Sequence, residues 1–248
     1  MGRVENVRVV LVGVQESGNV GMTARAMKNF GLRELCLVAP EADPLAEEAR
    51  KFAVGAKDIL ESARVVDTLD EALADVHFVA ATTARARYGY PGRILTPREA
   101  APGLRGRAEA GERVALVFGR ERSGLTNEEL DRAHYVIRIP TAPDFKSLNL
   151  AQAVLILAYE LFLAEPQATE QPRPVEVGEL EGFFDDLAEH LIEIGFTDDK
   201  RLPHAMRRFR RIFHKAELTP GELAMLRGLL RQGRWAIERA GKKAREGS

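Results

Sequence analysis

The chain offers one cysteine, Cys36, in 248 residues. That scarcity excludes an intrachain disulfide and a cysteine-rich metal cluster, and the apolar setting LCLV makes burial the expected fate of this thiol. Five histidines are present, His77, His134, His190, His204 and His214, and no two share the H-E-x-x-H spacing of a helical zinc site. No metal is therefore expected, and His134, just ahead of a strand-like run, reads as structural. No apolar run reaches the ~20 residues of a membrane span, and the opening MGRVENVRVV lacks the apolar centre of a signal peptide. The expectation is a cytoplasmic protein without a membrane partner. Neither G-x-G-x-x-G nor G-x-x-x-x-G-K-[ST] occurs, so a dinucleotide-dependent enzyme on a doubly wound sheet lacks its fingerprint and a P-loop nucleotide site lacks its signature.

Net charge is also scarce, −1 in total, but it is unevenly placed. Lys200 to Ser248 holds 14 Lys or Arg against 4 Asp or Glu, a balance of +10, which leaves −11 for the first 199 residues. Such asymmetry suits a polyanion held by the C-terminal part, and it equally suits a solvated, compensated surface.

What the chain does contain is an alternation of short apolar runs and amphipathic segments. Val7 to Val14 reads as a buried strand, followed by a helix over Asn19 to Phe30 closed by Gly31. Strands are expected at Leu35 to Val38, Val65 to Val66, Phe78 to Ala81, Val114 to Phe118 and Val136 to Ile139. A helix is expected over Leu45 to Val54. TLDE at Thr68 and TPRE at Thr96 have capping-box spacing, the second with proline at the first helical position, and TNEE at Thr126 opens another helix. Ser147 to Leu163 is a long apolar helix, for which Ser147 or Asn149 is a candidate cap. Strands alternating with helices predict an α/β domain with a mostly parallel sheet, and ligands of such sheets bind at the carboxyl ends of the strands.

From residue 166 to 177 the run PQATEQPRPVEV is polar and proline-rich, as a linker is. Beyond it a small helical unit, 178–248, is expected. Its apolar lines are Leu180, Phe183, Phe184, Leu187, Leu191 and Ile194, then Met206, Phe209, Ile212 and Phe213. TPGE at Thr219 caps a third helix carrying Leu223, Leu226, Leu229 and Leu230. On the middle helix, MRRFRRIFHK adds Arg207, Arg208, Arg210, Arg211 and Lys215 around the apolar line, an arrangement suited to a phosphate backbone or to an ordinary amphipathic helix. GKKAREGS reads as a disordered basic tail.

Three polar stretches follow strands or open helices: GNVGMTAR from Gly18 to Arg25, FGRERSGLTNEEL from Phe118 to Leu130, and SLNLAQAV from Ser147 to Val154. Each alone fits a turn, a charged loop or a helix cap. A buried strand that delivers two arginines, a glutamate and a serine between glycines is nevertheless unusual for packing, and it suits a polar ligand at the sheet edge. Together the three resemble the sequence motifs of the TrmH-like branch of the SPOUT RNA methyltransferases, over residues 5–165. The segments MRRFRRIF and RQGRWAIE extend the likeness to the TrmJ group of tRNA (cytidine/uridine-2'-O-)-methyltransferases.

The resemblance implies a parallel-sheet SPOUT domain with a C-terminal trefoil knot over 1–165, a homodimer with its active site near the subunit boundary, and S-adenosylmethionine as cofactor. It implies methylation of the ribose 2'-hydroxyl of tRNA, at a cytidine or uridine at position 32 of the anticodon loop. RNA is expected and DNA is not, since only RNA carries that hydroxyl. The implied catalytic residues are Asn19 and Arg25 of the first stretch, Glu121 of the second, and Ser147 and Asn149 of the third. Cofactor contacts fall on Thr82, Thr83, Ala84, Gly119, Ile139, Lys146, Ser147 and Leu148. Asn19 would orient Arg25 or the ribose, and Glu121 would fix an arginine or a neighbouring loop. Arg25 is the candidate for activating or orienting the hydroxyl. An arginine is ordinarily protonated, so holding the adjacent phosphate is the conservative form of that role. RNA contacts are expected at Arg25, Arg120, Arg122, Arg207, Arg208 and Arg211. The competing readings are a 2'-O-methyltransferase of another tRNA or rRNA position, and an RNA-binding protein without catalysis.

Overall fold

A computed structural model describes residues 6–84, 94–145, 147–168 and 172–246. The chain separates into two units, Met1–Pro172 and Arg173–Ser248.

The first unit is built on a seven-stranded sheet in the order β3-β2-β1-β6-β4-β7-β5, every pairing parallel. The central strands are β1 (Val7–Val12), β6 (Val114–Phe118) and β4 (Phe78–Thr82). They read as nearly continuous apolar runs, interrupted within β1 by Arg8, because both of their faces are buried. On one side lie β2 (Glu34–Val38) and β3 (Arg64–Val66), on the other β7 (Tyr135–Ile137) and β5 (Ile94–Leu95). The long helices are α1 (Ser17–Asn29), α5 (Pro97–Glu109) and α7 (Leu150–Leu163). Short helices α2 (Glu47–Phe52), α3 (Lys57–Glu61), α4 (Leu69–Leu73) and α6 (Asn127–Leu130) fill the connections. Of the two capping boxes expected, the one at Thr96 is formed, whereas at Thr68 only the threonine half is present, its side chain accepting from the Glu71 amide; Thr126, expected to open a helix, forms a full capping box with Glu129. Cys36 is buried.

Several boundaries differ from the sequence reading. The last long strand ends at Ile137 rather than Ile139, and the helix after it begins at Leu150 rather than Ser147, because Asn149 takes the cap. α1 begins two residues before Asn19. α3 and β5 have no counterpart in the sequence reading, since five residues and two residues are too short to show a period. His134 is structural as expected: its Nδ1 accepts from the Val79 amide (3.1 Å) and its ring stacks on Phe78.

One charge sits inside the sheet. Arg8 on β1 is 5% exposed. It donates to Asp75 through both terminal nitrogens (2.7 and 3.0 Å), to Glu34 on the neighbouring strand (2.6 Å) and to the Ala72 carbonyl (2.6 Å). Burial by itself would lower the Arg8 pKa, and the two carboxylates outweigh it and raise it. In return the hydrogen bond from Arg8 holds the Asp75 carboxyl down at about 2.

The second unit, described by itself, packs three helices, α8 (Val177–Glu193), α9 (Leu202–Ala216) and α10 (Pro220–Glu246). Phe183, Phe184, Leu187 and Leu191 of α8 meet Met206 of α9 and Leu223 and Leu230 of α10. Val175, in the stretch read as a linker, is buried in this cluster, and its amide donates to the Leu218 carbonyl (2.8 Å). Three residues assigned to the apolar lines stand outside it: Ile194 (48% exposed), Ile212 (57%) and Leu229 (68%). Ile194 follows the last turn of α8, while Ile212 and Leu229 are rotated off the faces that carry Met206 and Leu230.

The ion pair around Arg8 gives a prediction with a defined sign. A carboxyl whose folded pKa is depressed stabilises the fold above its unfolded pKa, and that contribution fades as pH falls through the folded value. Asp75→Asn should cost about 2 kcal/mol at neutral pH, discounted because Asp75 is partly exposed and Arg8 keeps Glu34. The gap between variant and parent should shrink as pH falls from about 4 towards 2, read by denaturant unfolding at a series of pH values.

Candidate active site

The carboxyl ends of β4, β6 and β7 open onto a cleft of about 350 Å3. Its walls are the residues that leave those strands. Thr82 ends β4 and Thr83 and Ala84 follow it, Gly119 to Leu125 follow β6, Ile139 follows β7, and Ser147 and Leu148 precede α7. The walls are pinned to the sheet: the Thr82 hydroxyl donates to the Val117 carbonyl (3.1 Å) and the Thr83 amide to the Ile137 carbonyl (3.0 Å). The volume and the mixture of aliphatic walls with hydroxyls and backbone suit a small organic ligand.

The loop after β6 closes on itself. The Gly124 amide donates to the Arg120 carbonyl (2.8 Å), and the two residues form an isolated bridge. A Cβ on Gly119 would lie 2.2 Å from the Gly124 carbonyl carbon and 2.3 Å from the Leu125 nitrogen, so only glycine permits the closure. Arg120, read from the sequence as a phosphate contact, forms a forked ion pair with Glu129 (3.1 Å) at the start of α6. Arg122 and Ser123 remain exposed at the cleft.

The closed loop carries Glu121 to the start of α1. Its carboxylate accepts from the Gln15 amide (3.1 Å) and from Asn19 Nδ2 (2.9 Å), with a longer contact from the Glu16 amide (3.4 Å). Asn19 is 1% exposed. Its Oδ1 accepts from Asn149 Nδ2 (2.8 Å), and Asn149 Oδ1 in turn accepts from the Ala151 (2.9 Å) and Gln152 (3.3 Å) amides, capping α7. A relay of three side chains thus ties the entry to α1, the loop after β6 and the start of α7. An anionic acceptor beside backbone amides makes the strongest class of such bonds.

Of the sequence-expected residues, the cleft gathers Thr82, Thr83, Ala84, Gly119, Ile139, Ser147 and Leu148, together with Arg120, Glu121 and Arg122. Asn19 and Asn149 stand behind it in the relay. Glu121 fixes a neighbouring loop, and the bonds of Asn19 among the described residues run to Glu121, Glu16 and Asn149. Lys146 lies outside the described residues. Arg25 is not in the cleft wall: it is exposed on α1 and, among the described residues, has no acidic partner. Phe118, Leu125, Ile137, Leu150 and Ala153 also line the cleft, and the sequence reading did not single them out. The only signal for them was adjacency to the motif residues at strand ends and a helix start.

On the second unit, Arg208 and Arg211 are exposed on α9 and Arg207 is half-buried. Arg210 faces inward, pairing with Glu181 and lying 4.5 Å over the Phe184 ring.

Comparison with known proteins matches both units. Residues 6–159 match the SpoU rRNA Methylase family, and residues 178–245 match the C-terminal domain of tRNA methyltransferase TrmJ. The tRNA (cytidine/uridine/adenosine-2'-O-)-methyltransferase TrmJ of Pseudomonas aeruginosa is 44% identical over 240 residues, covering 91% of this chain and 93% of the relative. The crystal structure of TrmJ from Z. mobilis ZM4 superposes with a TM-score of 0.80 at 36% identity, over 91% of this chain and 97% of that one. An AdoMet-bound rRNA methyltransferase from Sinorhizobium meliloti shares the fold more distantly, with a TM-score of 0.50 and 26% identity over 64% of this chain and 56% of that one. With both units matched in chain order, the chain belongs to the SpoU methylase family and, within it, to the TrmJ group of tRNA methyltransferases.

Proposed function

We propose that the chain methylates the ribose 2'-hydroxyl of a cytidine or uridine in tRNA, at nucleotide 32 of the anticodon loop, using S-adenosylmethionine. The observation that carries this reading is the relay Glu121–Asn19–Asn149. It joins three loops around a cleft whose walls hold most of the residues expected to meet the cofactor. The cleft fits that group. Ile137, Ile139, Leu148 and Leu150 offer an apolar slot for a purine, Thr82, Thr83 and Ser147 offer hydroxyls, and Gly119 and Gly124 let backbone come close. When bound, S-adenosylmethionine supplies an activated methyl group. The protein's own part is to align the hydroxyl and assist departure of its proton. In this reading the knot implied by the family shapes the cleft.

Arg25 is the residue assigned to the ribose. It carries a permanent charge, it is exposed, and it stands apart from its own chain's cleft. We therefore place it at the cleft of a second copy, where its guanidinium grips the phosphate beside the target ribose and turns the 2'-hydroxyl towards the cleft. Self-association is supported by Leu155, Tyr159 and Leu163, which recur every four residues on α7 and stay exposed at 39%, 45% and 43%. The exposed Arg208 and Arg211 of α9 suit the phosphate backbone, giving affinity and register and little base discrimination.

The chemistry is tested by incubating the protein with labelled S-adenosylmethionine and tRNA that lacks the modification, then mapping the label by digestion and mass spectrometry. Label on the 2'-oxygen of residue 32 is the expected result, with adenosine-32 tRNA included because the Pseudomonas relative's name adds that base. Label at another tRNA or rRNA site would move the target. Binding of both ligands without label would favour an RNA-binding role.

Sharing of the site between copies is tested by mixing two inactive variants. Arg25→Ala lacks the guanidinium, and Gly119→Val blocks the loop closure with a Cβ that would meet backbone at 2.2 Å. Random re-pairing should restore about a quarter of parental activity, because half the dimers are mixed and each mixed dimer has one intact site. Absence of recovery would place Arg25 at its own chain's cleft.

A further inference from the structure

The chain's single tryptophan lies on α10, on the face turned away from its unit's core. Leu223, Leu226 and Leu230 form the packed line of this helix, and Gly233 continues it so closely that an added Cβ would lie 2.9 Å from the His190 ring. At 100° per residue, Trp235 falls on the opposite side from that line, and it is 54% exposed. A tryptophan left out of a core exposes a large apolar surface for no packing return.

Its neighbours are ordered around it. Arg231 and Arg239 stand one helical turn before and after it on the same face, and both are exposed. The Arg239 guanidinium lies 5.1 Å from the indole centroid, over one face of the ring, and more than half of the residue's surface stays exposed. Among the described residues, neither Arg231 nor Arg239 has an acidic partner. Arg234, directed elsewhere, is instead tied down by the Asp186 carbonyl (2.9 Å) and Glu189 (3.1 Å). Gln232 and Glu238 flank the ring at three residues on either side, so one carboxylate borders the patch, within a segment whose overall balance is +10.

We propose that Arg231, Trp235 and Arg239 form a stacking site for an unpaired nucleobase of RNA, with the indole face opposite Arg239 taking the base and the two guanidiniums taking phosphates on either side. The proposal rests on the tRNA reading above and adds a contact on the second unit, separate from the α9 arginines. Alternating cationic and aromatic side chains are what a single strand requires, since every base has a π-face and every link a charge. A duplex hides those faces. A second copy of α10 is a poorer occupant, because it would bring its own unpaired arginines against these two and desolvate all of them.

Since Trp235 is the only tryptophan, its emission reports on this site alone. The full-length protein is titrated with a single-stranded oligouridylate, with a blunt RNA duplex of equal phosphate number, and with inorganic polyphosphate. Binding is followed in parallel by anisotropy of labelled RNA. The expected result is quenching by the single strand and not by the duplex or polyphosphate. Trp235→Ala should weaken single-strand binding about tenfold, and Trp235→Phe, which keeps an aromatic face, by less than about threefold. Arg231→Gln and Arg239→Gln should each flatten the salt dependence by about 0.7 in slope. Unfolding midpoints of the variants establish that they fold.

The proposal is overturned if the single strand binds without quenching, if Trp235→Ala binds it as the parent does, or if duplex and polyphosphate quench equally. It is also overturned if emission changes with protein concentration alone, which would make the patch a contact between copies. Methylation of tRNA by the same preparations separates the two readings. Methylation without quenching removes the stacking site and leaves the enzyme, whereas quenching without methylation keeps the site and removes the enzyme.

Discussion

The Glu121 carboxylate is the constraint on which the candidate site depends. It is delivered by a loop that only Gly119 allows to close, and it ends against the amides that lead into α1. Through Asn19 it reaches Asn149, and through Asn149 the first turn of α7. Without this acceptor, two backbone amides and a buried amide side chain would lose a charged partner together, a cost that an exposed ion pair does not carry. The relay links the cleft walls after β6 and before α7, so their spacing is expected to follow from it.

Charge is divided in the same spirit. In the first unit the strongly held charges are structural: Arg8 with Asp75 and Glu34 inside the sheet, Arg107 with Glu112 under a cation–π contact to Phe78, and Arg120 with Glu129. Arg25 stands out because it is exposed and, among the described residues, has no acidic partner. In the second unit Arg210 and Arg234 tie helices together, while Arg208, Arg211, Arg231 and Arg239 face solvent. The excess of positive charge at the C-terminus is thus partly scaffold and partly a surface free to meet a polyanion.

Much of this was legible in the residue pattern, for physical reasons. β1, β4 and β6 were readable because strands buried on both faces need nearly continuous apolar runs, and Thr68, Thr96 and Thr126 because caps need particular side chains at fixed spacing. The cleft residues were readable only as three motifs, since no period predicts that residues 19, 121 and 149 will meet. α3 and β5 were too short to show a period. Ile194, Ile212 and Leu229 were misplaced because aliphatic character marks a helix face only to within its width, and a turn's end or a small rotation carries a residue into solvent. The ion pair of Arg120 with Glu129, nine residues on, had no signal in the pattern, because the same carboxylate also closes the capping box at Thr126.

The most direct test of the relay is the dissociation constant for S-adenosylmethionine of Glu121→Ala against the parent, measured by titration calorimetry, with the unfolding midpoint of each protein as control. If the relay sets the spacing of the cleft walls, the variant should stay folded and bind about tenfold more weakly, the loss of roughly one charged acceptor. Equal affinity in a folded variant would contradict the account, because the cleft would then hold its shape without the interaction assigned to it.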